Sequence, residues 1–348
     1  VGPFDHPWLS GLFADPEMAA IWSAQTQLSH MCAFEAAWSR SGHLAGLWAG
    51  QEGTAAAKAI EGFTLDPKDL AEGTAHDGLC VPSLVRFLKA VAGDAVHRGA
   101  TSQDVIDTAL ALCIAATLDL VDRRLAALAD ELAALEGRFG DAPLMGRTRM
   151  QAALPIHVRD RVRIWRSPLS EHRHRIQQLR PRVARIQIGG AAGDRAALGN
   201  NAQQMCDAVA AELGLESAAH SWHATRDSIA EFANLLSLIS GSLGKFGQDV
   251  ALMAQQGVDE ISLSCGGGSS AMPHKQNPIL AELLVSLARY NAVQLSGMHQ
   301  ALVHEQERSG AAWTLEWMLL PQMAQATGRA LVAGEQLVGQ INAMGTDH

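Results

Sequence analysis

The chain has little with which to build a sheet: one tyrosine in 348 residues, aromatics at 5%, and few runs of β-branched residues. No apolar run reaches the ~18 residues that span a bilayer, and the first thirty residues lack a basic-then-apolar leader pattern. Five cysteines (Cys32, Cys80, Cys113, Cys206, Cys265) stand singly, with no CxxC pair. That excludes a disulfide framework and a zinc ribbon, and reads as reduced thiols in a cytoplasmic protein. Charged residues make up only 18% of the chain against 48% hydrophobic, which excludes intrinsic disorder. A net charge of −9 argues against a nucleic-acid partner.

What is present is helix. From Ser102 to Glu136 there is neither Gly nor Pro, and Ile114, Leu118, Val121, Leu125, Leu128, Leu132 and Leu135 recur at spacings of three and four. Ile229, Phe232, Leu236, Ile239, Leu243, Phe246, Val250 and Met253 make a second seam. Further helices are expected over 156–180, 278–308 and 313–343, with Pro168 and Pro321 as kinks. The expected fold is all-α: an elongated central bundle of about five long helices over 101–348, preceded by a small helical domain over 1–100. Seams of this length predict a homo-oligomer.

Charge is unevenly spread. Eleven arginines lie between Arg147 and Arg185 against only Asp160 and Glu171. They make either a solvated, bridging helix face or a field that draws in a small polyanion.

Three polar stretches interrupt the pattern. His97-Arg98-Gly99-Ala100-Thr101-Ser102 precedes the longest helix, where Thr101 and Ser102 can cap it or grip a carboxylate. Gly146-Arg147-Thr148-Arg149-Met150-Gln151 reads as a polar turn before another helix. Cys265 to Pro278 combines three glycines with Ser269, Ser270, Met272, Lys275 and Asn277, and reads as a functional loop. It is not a nucleotide P-loop, because Lys275 is neither preceded by Gly nor followed by Ser or Thr. His172 with His174, and His220 with His223, lack nearby Cys or clustered carboxylates. They are expected to be solvated, with no metal bound. His76-Asp77 reads as a local pair with no chemical role.

GGSSAMPHKQNP at 267–278 resembles the signature loop of the fumarase/aspartase superfamily, and GATSQDVIDTA at 99–109 and GRTRMQ at 146–151 resemble its two substrate-binding segments. Within the superfamily, SWHATRDSIAEF at 221–232, IGGAAG at 188–193, SLGKFGQDVALMAQ at 242–255 and ERSGAAWTLEW at 307–317 are most similar to the bacterial 3-carboxy-cis,cis-muconate cycloisomerases, or lactonizing enzymes. The resemblance implies a cofactor-free homotetramer with each active site shared between three subunits. It also implies a C-terminal helical domain that, with the chain stopping at His348, is expected to be absent or reduced.

By the same resemblance Ser269 moves the proton and Lys275 stabilises its alkoxide, while Thr101, Ser102, Gln151, Ser270, Met272 and Asn277 contact substrate. His97 and Arg98 border that grip, Arg308 matches a substrate-binding arginine, and His223 lines the pocket or caps the next helix. Superfamily members that expel a poor leaving group carry a His where this chain has Arg149. An arginine stays protonated and cannot shuttle a proton. A tethered carboxylate, already an anion, needs no such shuttle, so Arg149 favours ring closure by an intramolecular lyase. Glu282, in place of the carboxylate that partners the missing His, is expected to pair with Arg149 and orient it. Three other readings stay open: the same chemistry on 3-sulfomuconate, an adenylosuccinate- or argininosuccinate-type lyase, and a non-catalytic oligomeric scaffold.

Overall fold

The computed structural model describes residues 2–264, 266–268, 272 and 276–346. Short helices open the chain: α1 (Ser10–Phe13), α2 (Pro16–Ile21), α3 (Ala24–Ser41), α4 (Gly50–Glu61), α5 (Ala71–Asp77) and α6 (Val81–Ala92). The bundle follows as α7 (Ser102–Phe139) and α8 (Val158–Val183), then, after a small helix α9 (Ala202–Leu213), as α10 (Asp227–Met253), α11 (Ile279–Gln300) and α12 (Ala311–Gln340). Among the described residues four short strands pair two by two: β1 (Pro143–Thr148) with β2 (Gln151–His157), and β3 (Ile261–Leu263) with β4 (Ile341–Met344), both antiparallel.

Both seams behave as their spacing requires. Each seam residue of α7 and α10 is at most 2% exposed, within one apolar cluster that runs through α7, α8, α10, α11 and α12. Because that burial is complete inside one chain, the seams themselves supply no reason for assembly. Gly244 and Gly247 let α10 and α11 approach closely: a Cβ there would meet Ala288 Cβ and the Ala281 carbonyl at 2.5 Å. A second apolar cluster joins α3, α4 and α6 to the start of α7 and to residues between Ala184 and Leu215.

The helices differ from expectation at three places. GRTRMQ is the tip of the β1–β2 hairpin and not a simple turn. Arg149 (φ 49°) and Met150 (φ 68°) both take the positive φ that a two-residue hairpin turn needs, without the usual Gly or Asn. α11 stops at Gln300, and 301–310 is a loop in which Gln306 is left-handed (φ 46°). α12 ends at Gln340, where the chain turns extended to pair β4 with β3. Most arginines of α8 are spent on ion pairs along the bundle, among them Arg163 with Glu136, Arg173 with Asp122, Arg180 with Asp119, and Arg182 with Glu231. This is the bridging face, not a free basic field.

α7 and α10, both packed against α8 and α12, run in the same direction, tied at their starts by Arg226 to Asp107 and near their ends by Arg147 to Glu260. At ~1.5 Å per residue, the 27 residues of α10 hold these two ends about 40 Å apart. Among the described residues no helix is long and apolar enough to cross a membrane.

Candidate active site

At the starting end of the bundle the chain closes a polar corner on one buried carboxylate. Thr101 occupies the N-cap of α7 with extended backbone (φ −128°, ψ 160°). Its amide N–H donates to Asp104 Oδ2 at 3.0 Å, so the carboxylate three residues on takes one of the helix's unpaired donors. Asp104 is fully buried and also accepts from the Gly190 amide (3.0 Å), the Gly189 amide (2.8 Å) and His223 Nε2 (2.8 Å). IGGAAG is thereby fastened to the start of α7. Gly189 has to be glycine, because a Cβ there would lie 2.5 Å from Ser221 Oγ and 2.6 Å from His223 Cε1.

Arg308 reaches the same corner from the loop before α12. Its Nε donates to Gln103 Oε1 at 3.0 Å, and Nη2 approaches the carbonyls of Ala191 (3.3 Å) and Gly190 (3.5 Å). Gln103, itself buried, passes a hydrogen bond on to the His223 carbonyl at 3.0 Å. Arg308 is therefore a loop residue that meets no carboxylate of its own chain among the described residues, and its exposed cation is available to an anion.

Behind the corner lies a fully buried charge cluster. Arg226 donates Nη1 to Asp107 Oδ2 (2.7 Å) and Nη2 to Oδ1 (3.1 Å), and holds both oxygens of Glu316 at 2.9 and 2.5 Å. Trp313 Nε1 donates to Asp107 Oδ1 at 3.1 Å. Burial alone would raise the Glu316 carboxyl, but the Arg226 charge and its hydrogen bonds, with the His304 ring 3.8 Å away, outweigh it and hold Glu316 below its ordinary value. Arg226 is held above its own by the two carboxylates, against the cost of burial. The cluster bolts together the starts of α7, α10 and α12, the three helices that carry Thr101, His223 and Arg308 in or beside their first turns.

His97 and Arg98 sit beside this corner. His97 is left-handed (φ 61°), and its Nδ1 lies 2.6 Å from Glu35 Oε1. The Arg98 guanidinium stacks 5.4 Å over the Trp48 ring, and its carbonyl accepts from Trp38 Nε1 at 3.1 Å. Ser102 is half-buried in the first turn of α7. So His97, Arg98, Thr101, Ser102, His223 and Arg308 come together in one chain.

The remaining candidates lie at the far end. Arg149 and Gln151 are exposed on the hairpin, which Arg147 anchors through hydrogen bonds of 2.8 and 3.2 Å to the buried Glu260. Asn277 closes the base of the 267–277 loop with Gly267, amide to carbonyl in both directions at 2.9 and 3.0 Å. A Cβ on Gly267 would strike Ile279 Cγ1 at 2.6 Å. Met272 is exposed, as is Glu282 in the first turn of α11. Within one chain no ion pair joins Glu282 to Arg149 among the described residues. Ser269, Ser270 and Lys275 lie outside the described residues.

Two histidines expected to be solvated are buried instead. His223 is 3% exposed, with Nε2 bonded to Asp104 and Nδ1 without a partner among the described residues. His172 bonds Ser242 Oγ (2.9 Å) and accepts from Arg175 (3.2 Å); burial, and then the Arg175 charge, push its pKa down to about 4. His76 and Asp77 form an exposed neighbour pair. Glu35, Gln103, Asp104, Arg226 and Glu316 escaped sequence reasoning as site-forming residues. The one signal was Asp104 and Asp107, three apart at the start of a helix whose next charged residue is Asp119.

The sequence and fold are similar to those of known proteins. A family model described as a lyase matches residues 14–291. A 3-carboxy-cis,cis-muconate cycloisomerase of Pseudomonas aeruginosa is 38% identical, over 96% of this chain and 74% of its own. An N-acetyl-S-(2-succino)cysteine lyase of Enterococcus italicus is 32% identical, over 92% and 71%. The crystal structure of the 3-carboxy-cis,cis-muconate lactonizing enzyme from Pseudomonas putida superposes with a TM-score of 0.90 at 36% identity, over 97% of this chain and 77% of that one. With its helical fold, its polar corner and this match, the chain belongs to the lyase family.

Proposed function

We propose that the chain is a cycloisomerase that closes 3-carboxy-cis,cis-muconate to a carboxymuconolactone. The observation that carries this reading is Arg149 at the exposed tip of the hairpin, a permanent cation where a lyase with a poor leaving group needs a proton shuttle. In the closing direction a carboxylate oxygen of the substrate bonds to an alkene carbon of the same molecule. The neighbouring carbon, next to another carboxylate, takes a proton from Ser269, and Lys275 and nearby donors stabilise the serine alkoxide. The atoms of substrate and product are the same, and no co-reactant enters. Thr101, Ser102, Arg98 and Arg308 hold carboxylates at one end of the site, and Arg149, Gln151 and Asn277 at the other.

These two sets lie about 40 Å apart in one chain, far more than a small tricarboxylate can bridge. We therefore propose that several copies assemble, in the homotetramer that the family resemblance implies, so that the starting end of one bundle meets the hairpin and loop ends of others. Met150 (69% exposed) and Leu154 (73%) on the hairpin, and Ile164 (58%) and Val293 (72%) on the bundle, are the apolar surface such an assembly would cover. Pairing of Glu282 with Arg149 then falls between copies.

The test is loss of conjugated-diene ultraviolet absorbance from 3-carboxy-cis,cis-muconate, with Ser269→Ala alongside. Decay that the variant abolishes is expected. An inert wild-type protein would reject the reading, and 3-sulfomuconate in the same assay then separates a change of substrate from a silent scaffold.

A further inference from the structure

Glu35 is a charge in the wrong place for a fold residue. Its carboxylate is fully buried on α3 beside Phe34 and Trp38, in the apolar cluster of the small domain. Oε1 meets His97 Nδ1 at 2.6 Å, and Oε2 has no hydrogen-bond partner among the described residues. A buried carboxylate with one hydrogen bond destabilises the folded state, so its presence needs a reason beyond packing. His97 adds a second cost, since its left-handed backbone is sparsely populated by residues other than glycine. Both costs serve one outcome. With Nδ1 held by Glu35, the His97 ring helps line an open cleft of about 320 Å3 together with Lys89, Asp94 and Arg98, which leaves Nε2 as its free nitrogen. That cleft lies four residues before the α7 N-cap.

We propose that Glu35 is a positioning residue for substrate binding: it fixes the His97 ring so that Nε2–H donates to a substrate carboxylate entering between Arg98 and Thr101. In the complex the imidazolium lies between two carboxylates, one from the protein and one from the ligand. Glu35 thus supplies both the orientation of the ring and the charge that offsets its proton. Arg98, clamped over Trp48, and Lys89 add positive charge on the same side. The proposal shares with the functional reading only the assumption that the ligand is a carboxylate.

The test uses tricarballylate, an unreactive tricarboxylate, with dissociation constants from titration calorimetry, so it needs no turnover. Glu35→Gln is nearly isosteric and is expected to weaken binding about tenfold or more, the loss of one charge-assisted bond. His97→Gln can set an amide N–H near the place of Nε2 with no need of Glu35. Adding Glu35→Gln to that variant is therefore expected to change affinity less than twofold. In the wild-type protein the 15N resonance of His97 Nε2 must move when tricarballylate is added, which tests the contact without any substitution. The proposal is overturned by a Glu35→Gln protein that binds within twofold of wild type, by an equal loss in both backgrounds, by a still His97 resonance, or by a wild type that takes no tricarballylate. The diene assay decides the reaction separately.

Discussion

Replacing Asp104 by alanine removes the carboxylate on which the starting end of the bundle is built. Four donors lose their acceptor: the amides of Thr101, Gly189 and Gly190, and His223 Nε2. A buried donor left without a partner costs about 1–3 kcal/mol, so the range is roughly 4–12 kcal/mol. Water admitted to the space left behind recovers part of it, and the lower end is the better expectation. At about 2.1 cal/mol/K per residue, a chain of this length loses about 5 °C of melting temperature for 4 kcal/mol. Asp104→Asn keeps one acceptor oxygen but turns an NH2 toward other donors, so it should fall between wild type and alanine. Both variants should raise KM for the muconate, because the loop carrying the carbonyls that hold Arg308 is no longer tied to Thr101. Thermal melts and diene kinetics on the three proteins check this. An alanine variant melting within about 1 °C of wild type with an unchanged KM would refute the idea that this carboxylate organises the corner.

Arg226→Met strands two buried carboxylates, Asp107 and Glu316, and should cost at least about 3–5 kcal/mol by thermal or urea unfolding; a loss below 1 kcal/mol would count against the cluster. His172 is native in its neutral form, with its pKa pushed down to about 4. As pH falls from about 6.5 to 4 the unfolded chain binds a proton that the folded one does not, so stability drops over that window by at most about 3 kcal/mol. His172→Gln should flatten that part of the pH profile of the melting temperature, and an unchanged profile would remove His172 as its cause. Arg149→Leu should raise KM or lower kcat while leaving the melting temperature near wild type, since the side chain is exposed on its own chain; unchanged kinetics would discard its role toward substrate.

The helices were readable because an apolar seam is a local signal. Every seam position from Ile114 to Leu135 and from Ile229 to Met253 went inside. The loop at 301–310 was not readable, because ALVHEQERS contains no Gly or Pro to end α11. Nor was the hairpin, whose Arg149-Met150 tip takes left-handed backbone without a turn residue. In the site, hydroxyls, glycines and arginines in polar stretches announced themselves. Glu35, Asp104, Arg226 and Glu316 did not, since on a helix a lone charge looks the same whether solvent or another segment covers it. Their burial depends on partners 62 to 119 residues away in sequence.

The central claim is that one active site takes Thr101 and Arg308 from one copy and Arg149 with the 267–278 loop from others. It is tested most directly by mixing two inactive proteins, Arg308→Ala and Ser269→Ala, dissociating and reassembling them together, and following diene loss. Hybrid assemblies contain some sites with both groups intact, so the mixture should regain a substantial fraction of wild-type activity while neither parent does. A reassembled mixture as inactive as its parents would contradict the account.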